Sequence, residues 1–164
     1  MPNFKNFAWL VALLCCLTGC ASNALRFPKS SPVCIDIDTK DTLWTAIVTP
    51  EIIQRISLRI EKYVVQYLAD ESISTAVGDR CKATDVKLTI ALPTVESSVR
   101  SKIGVFANSS YNSYEIRPLV TLRAPDGSVL WTDSHGFDNE SLDNVASSIA
   151  SRAASRVSKH YRSK

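Results

Sequence analysis

The stretch 49-TPEIIQRISLRIEKYVVQYL-68 decides the fold. Thr49, Pro50 and Glu51 make a helix start: a capping hydroxyl, a proline suited to the first turn, and a carboxylate at the positive dipole end. Ile52, Ile53, Ile56, Ile60, Tyr63, Val64, Tyr67 and Leu68 then recur at helical spacing. Gln54, Arg55, Arg59, Glu61, Lys62 and Gln66 hold the opposite face. The spacing predicts an amphipathic helix of about five turns with one face on a core. Isoleucine is a mediocre helix former, so packing has to stabilise this segment.

On either side the period changes from 3.6 to 2. Upstream, Val33-Cys34-Ile35-Asp36-Ile37 alternates as a first strand, and Leu43 to Val48 is either a short strand or an irregular entry to the helix. Downstream, Gly78-Asp79 breaks the chain and Val86 to Leu92 alternates cleanly, with Pro93 ending or edging it. Residues 96–113 are rich in Ser and Asn, with Val105-Phe106 and Tyr111 inserted, and predict a strand extension plus a mobile hairpin loop. Tyr114 to Arg123 is the next strand, Ala124-Pro125-Asp126-Gly127-Ser128 a turn, and Val129 to Thr132 its antiparallel partner. Asp138-Asn139-Glu140-Ser141 opens a final helix striped by Leu142, Val145, Ile149, Ala153, Val157 and Tyr161. This order predicts an α+β two-layer sandwich: a mainly antiparallel sheet of about three to five strands with two amphipathic helices on one face.

The N-terminus has a separate logic. Lys5 precedes an uncharged apolar run, Phe7 to Leu17, shorter than the ~20 residues that span a bilayer. This is the pattern of a secretory signal. It ends in Leu17-Thr18-Gly19-Cys20, which closely resembles the lipobox of bacterial lipoproteins. The resemblance implies cleavage after Gly19 and a diacylglycerol on the Cys20 thiol; an ordinary signal cleaved near Ala21 is the alternative reading. Several acyl chains hold a protein at a membrane with no spanning helix, each buried CH₂ contributing roughly 0.8 kcal/mol. The expected organisation is residues 1–19 as signal, 20–32 as a lipidated tether and 33–164 as one periplasmic domain. Ala21 and Ser22 follow the cysteine, where inner-membrane lipoproteins commonly carry aspartate, so the resemblance implies the outer membrane.

Composition and cysteine usage narrow the chemistry. Without residues 1–19 the charge is 18 − 16 = +2, too mild for a nucleic-acid binder. Cys34 and Cys81 remain beside Cys20, and in an oxidising compartment an even pair predicts a disulfide, with two buried free thiols as the alternative. Asp36, Asp38 and Asp41 lack the glycine and distal glutamate of a calcium loop, and His135 and His160 have no ligand spacing with the cysteines. No nucleophile elbow, phosphate loop or dinucleotide fingerprint occurs, so neither an enzyme nor a cofactor is expected.

The candidate partner-binding residues are Tyr111 and Tyr114, set among Ser and Asn, and Arg152, Arg156 and Lys159 near the end of the last helix. The tyrosines could equally pack locally, and the cations, with Arg162, could simply favour the helix dipole. The segment 115-EIRPLVTLRAPDGSVLWTDSHG-136 resembles the hairpin of small envelope lipoproteins: penicillin-binding-protein activators, curli-secretion and flagellar accessory proteins, and the lipopolysaccharide-assembly lipoprotein. The chain lacks the glycine-phenylalanine that commonly follows the lipid cysteine in the last of these. The resemblance implies a noncatalytic accessory lipoprotein with an envelope protein partner; a lipid- or glycan-binding lipoprotein is the alternative.

Overall fold

Three of the strand-to-strand connections are only two residues long, and they shape the molecule. The computed structural model describes residues 26–103 and 108–161. The elements run β1 (Val33–Asp38), β2 (Leu43–Trp44), α1 (Pro50–Asp70), β3 (Thr75–Val77), β4 (Val86–Ala91), β5 (Thr94–Ile103), β6 (Asn108–Ile116), β7 (Leu119–Arg123), β8 (Val129–Ser134), β9 (Phe137–Asn139) and α2 (Leu142–Ser158). They form a five-stranded sheet, β3-β1-β4-β7-β8, and a four-stranded sheet, β2-β5-β6-β9.

The two sheets continue one another. β1 leads to β2, β4 to β5, β6 to β7 and β8 to β9, and the partners occupy matching places in the two orders. The breaks fall at residues 39–42, Leu92-Pro93, Arg117-Pro118 and His135-Gly136. Proline has no N–H for the ladder, so Pro93 and Pro118 interrupt the strands. Ala91 faces Leu119 and Val95 faces Ile116, which leaves Leu92, Pro93 and Thr94 opposite only Arg117 and Pro118. That mismatch is a bulge, which bends the ribbon. Backbone bonds carry pairing around the break: Leu92 donates to the Asp38 carbonyl and Leu43 to the Pro93 carbonyl, both at 2.9 Å.

The α+β architecture expected from the sequence holds, but the sheets are mixed. β1 runs parallel to β3 and β4, and β2 parallel to β5. The cause is α1, which carries the chain from the end where β1 finishes back across to the end where β1 began, as a parallel pair requires. The strand extension expected within residues 96–113 runs further than the sequence suggested: β5 and β6 pair from Val95–Ile116 out to Ile103–Asn108. Val105 and Phe106 lie outside the described residues. Asp138 and Asn139 belong to β9, paired with Glu115 and Tyr114, and α2 starts only at Leu142.

Both helices cover one face of the five-stranded sheet. Ile53, Ile56, Ile60, Val64 and Leu68 of α1 are buried against the sheet and against α2. Burying each such side chain contributes roughly 1.5–3 kcal/mol. The matching face of α2 is mostly small, with Ala146, Ala150, Ala153 and Ala154 buried beside Val145, Ile149 and Val157. Small side chains let the two helices approach closely. Thr49 occupies the N-cap position, yet its hydroxyl bonds the Glu51 carboxylate instead of the helix backbone, and this interaction holds Glu51 below its ordinary pKa. No helix among the described residues is long and apolar enough to cross a membrane.

The segment expected as a tether is partly folded. Phe27 bridges Tyr161, its amide donating to the His160 carbonyl at 2.7 Å, and the Lys29 ammonium donates to the Glu71 carbonyl at 2.6 Å. Pro32 accepts from the Val86 amide at 3.3 Å. Residues 27–32 are therefore docked on the domain; residues 1–25, including Cys20, lie outside the described residues.

Candidate functional site

The four-stranded sheet is where the fold leaves groups that its own core does not consume. At its base Val95 and Ile116 are fully buried, with Phe137 packed beside them. Farther out β5 and β6 project past the helices, and successive side chains alternate between two faces. One face carries Glu96, Arg100, Tyr111, Ser113, Glu115 and Asp138, and the other carries Ser97, Val99 and Tyr114.

The polar face holds a fixed constellation at the β9 edge. Arg100 pairs with the Asp138 carboxylate at 2.7 Å, and the Ser113 hydroxyl donates to the other Asp138 oxygen. The Ser113 hydrogen bond and then the Arg100 charge keep Asp138 ionised below the usual carboxylate range. Asn139 accepts from the Ser141 amide at 3.0 Å and from the Asn144 side chain at 3.2 Å, which turns the chain into α2. Between this turn and the arm lies an open cleft of about 410 Å³ lined by Arg100, Tyr111, Ser113, Asp138 and Asn144.

The opposite edge is apolar. Leu43 is 71% exposed, Trp44 50% and Ile47 48%, and Val99 on the neighbouring β5 is 61% exposed. β2 pairs with β5 only through Leu43–Thr94 and Trp44–Val95. Large apolar side chains on a short edge strand are uncommon, because edges usually carry charge or proline to prevent pairing with other chains.

The residues singled out from the sequence fall in different places. Tyr111 and Tyr114 are three apart on one strand and so point to opposite faces: Tyr111 lines the polar cleft, while Tyr114 packs on the core. Arg152 donates to Asp133 at 2.6 Å, and Arg156 lies 5.8 Å from the Trp131 ring centroid. These two cations clamp α2 to β8. Arg152 also holds Asp133 below its ordinary pKa, with burial opposing it and Arg156 adding a smaller share. Lys159 is exposed just beyond α2.

Cys34 and Cys81 form a disulfide with their Cα atoms 5.2 Å apart. A second cleft, of about 280 Å³, opens beside it and is lined by Lys82, Lys87, Asp85 and Arg123. Asp36 pairs with Lys87 at 3.2 Å, and Asp38 accepts the Lys40 amide at 3.1 Å, so both belong to local pairing on and after β1. His135 packs its ring against Phe137 at 5.2 Å.

Arg100 and Asp138 were missed by sequence reasoning, the first inside a stretch read as a strand extension plus a hairpin loop and the second read as a helix start. The β2 edge left a signal: Leu43, Trp44, Ala46, Ile47 and Val48 crowd six residues, more apolar surface than a short entry segment needs.

No protein-family model matches the chain, and no curated protein matches it. Among solved structures, a point variant of the PelC dodecamer from Paraburkholderia phytofirmans aligns at 15% identity and a TM-score of 0.51, covering 84% of this chain and 92% of its own. The PelC dodecamer from the same organism in another crystal form aligns at 15% identity and a TM-score of 0.50, over 79% and 90%. A neuraminyllactose-binding hemagglutinin homolog from Helicobacter pylori aligns at 11% identity and a TM-score of 0.45, over 82% and 84%. The likeness to PelC is one of fold.

Proposed function

We propose that this chain is a noncatalytic accessory protein of the bacterial cell envelope, held at the outer membrane by lipid on Cys20 and engaging another protein chain through the β2 edge. The observation that carries the reading is the exposed apolar edge formed by Leu43, Trp44 and Ile47 with Val99 alongside. An unpaired strand edge offers backbone hydrogen bonds, and apolar side chains around it add affinity; this is the chemistry of strand addition.

The geometry of attachment supports it. Phe27 docks at the C-terminal end of α2, while β9 and the projecting sheet lie at its N-terminal end. The 17 residues of α2 separate the two ends by roughly 25 Å. Lipid on Cys20, seven residues before Phe27, would join the domain at the end of α2 remote from β9. The filled interface between sheet and helices, where Ile56, Ile60, Val64, Leu88 and Ile90 are fully buried, favours a contact surface over a lipid held between the layers.

PelC was crystallised as a dodecamer, and copies of this chain are the first partner to test. The experiment is light scattering and cross-linking of the detergent-solubilised full chain, together with co-purification from envelope membranes. Trp44→Glu and Val99→Glu should abolish the association that the wild type shows. Leu58→Glu, at a site 60% exposed on α1, should leave it unchanged. Retention of full association in both edge variants, or equal loss in the α1 control, would reject the edge as the contact.

A further inference from the structure

We infer that the cleft beside the disulfide docks the phosphate of an anionic lipid headgroup in the membrane that holds the chain, with Lys82 and Arg123 as its cations. The inference rests on the lipid at Cys20 for the source of the phosphate, and on none of the groups at the β2 edge.

The bridge builds the cleft. Cys34 on β1 lies in the same row across the sheet as Lys87 on β4 and Arg123 on β7. Cys81 is bonded to Cys34, so the next residue, Lys82, is brought to that row. The loop then closes on itself: the Lys82 amide donates to the Asp85 carboxylate at 2.7 Å, and the Asp85 amide to the Lys82 carbonyl at 3.1 Å. Three cations thus border one opening of about 280 Å³.

Their pairing decides what charge is left over. Lys87 is taken by Asp36 at 3.2 Å. Arg123 faces Lys87 directly across the ladder, where like charges are unfavourable. Its guanidinium donates one N–H to the Gly127 carbonyl at 3.2 Å, a neutral acceptor that leaves the charge in place. Among the described residues no carboxylate pairs with Arg123 or with the Lys82 ammonium. The carboxylate in the wall, Asp85, is buried and engaged by the Lys82 amide. Asp126, in the adjoining turn, is engaged by the Ser128 amide and hydroxyl. Lys82 and Arg123 against Asp85 leave a surplus of one positive charge, which matches a monoanionic phosphodiester.

Lining and place select a lipid over a free anion. Ala83 and Pro125 are exposed in the same wall and can cover the apolar side of a glycerol backbone, which a bare phosphate does not offer. The Val86 amide donates to the Pro32 carbonyl, so the cleft borders the docked segment 27–32. Cys20 precedes Phe27 by seven residues, at most about 25 Å of chain. With lipid on Cys20, so short a tether keeps headgroups at high effective concentration, and a weak site is filled. Each Lys or Arg near an anionic surface strengthens binding roughly fivefold.

The test uses the full chain in micelles of a neutral detergent, with dihexanoyl phosphatidylglycerol, dihexanoyl phosphatidylcholine or inorganic phosphate as probes. Backbone amide shifts are followed by NMR. Phosphatidylglycerol should shift the amides of Lys82, Lys87 and Arg123 and bind at least about tenfold more tightly than either other probe. Lys82→Gln and Arg123→Gln should each weaken that binding about fivefold. Lys82→Arg, which keeps the charge, and Lys62→Gln, on the exposed face of α1, should leave it unchanged. Absence of shifts at these amides, or an equal response to phosphatidylcholine, would overturn the inference. So would an equal response to inorganic phosphate, which would mark a site for small anions. The mass of the Cys20 peptide from the same sample reports the anchor separately: an unmodified cysteine with the shifts present removes the anchor and keeps the cleft.

Discussion

Replacing Cys34 and Cys81 together by alanine tests the link between chain topology and stability most directly. The bridge joins residues 47 apart, a span that contains β2, α1 and β3. Loop-closure entropy removed from the unfolded chain by a link of that length is worth about 4 kcal/mol. The native state sets a second term. Cys34 is only 7% exposed on β1, so alanine leaves a small void there, whereas Cys81 follows the turn Gly78–Arg80 near the surface. The bridge also pins that turn beside β1, next to the three-residue edge strand β3. The expected loss is about 4 kcal/mol, or about 8–16 °C in Tm for a domain of this size. Urea unfolding of the wild type with and without reductant, beside the double variant, provides the assay. Reduction of the wild type should reproduce the variant, with the strand signature retained. A loss below about 1 kcal/mol at unchanged denaturant slope would refute the reasoning, because it would mean that the unfolded chain already holds these ends together.

Three further outcomes follow from the same structure. Ala153→Leu, at a fully buried site on α2, should cost about 1–3 kcal/mol by forcing α2 outward, measured by urea unfolding. Asp133→Asn should remove an acid-sensitive contribution of about 0.2–1 kcal/mol. Arg152 depresses the Asp133 pKa in the folded state, so that contribution is present above the ordinary carboxylate value of 3.8 and is lost as pH falls through the lower folded value. Stability curves of wild type and variant should therefore converge as pH falls below 3.8, and curves that stay parallel throughout the acid range would contradict the pairing. Cys20→Ser should leave an unprocessed precursor that takes up no labelled fatty acid; a mature, membrane-bound variant would remove the lipid anchor from the proposal.

The binding residues show why a sequence reaches the fold more easily than the site. Arg152 and Arg156 look like free cations on a helix, but four-residue spacing places both over β8, where Asp133 and Trp131 engage them. Nothing local in the sequence announces those partners, which lie in a separate element. Tyr111 and Tyr114 were grouped because they are neighbours among Ser and Asn. Once that stretch is strand, a spacing of three puts them on opposite faces. Arg100 and Asp138 are 38 residues apart and meet only because β9 returns alongside β6.

The sequence by itself determined the parts whose signals repeat along the chain. The isoleucine stripe of α1, the alternation of Val86 to Leu92, the proline-glycine turn at 125–127 and the pair Cys34 and Cys81 each carry their own period or chemistry. Burial of one face is enough to make such a pattern legible. Only the tertiary structure decided the direction of β1 and β3, the pairing of the Ser- and Asn-rich β5 and β6, and the two- and three-residue strands β2, β3 and β9. The reason is physical. Strands with two exposed faces need no alternation, very short strands cannot display one, and their hydrogen bonds depend on neighbours far away in the chain. The crease at Pro93 and Pro118 belongs to both levels: the prolines are visible in the sequence as strand ends, but that they bend one continuous sheet depends on their facing each other across a hairpin.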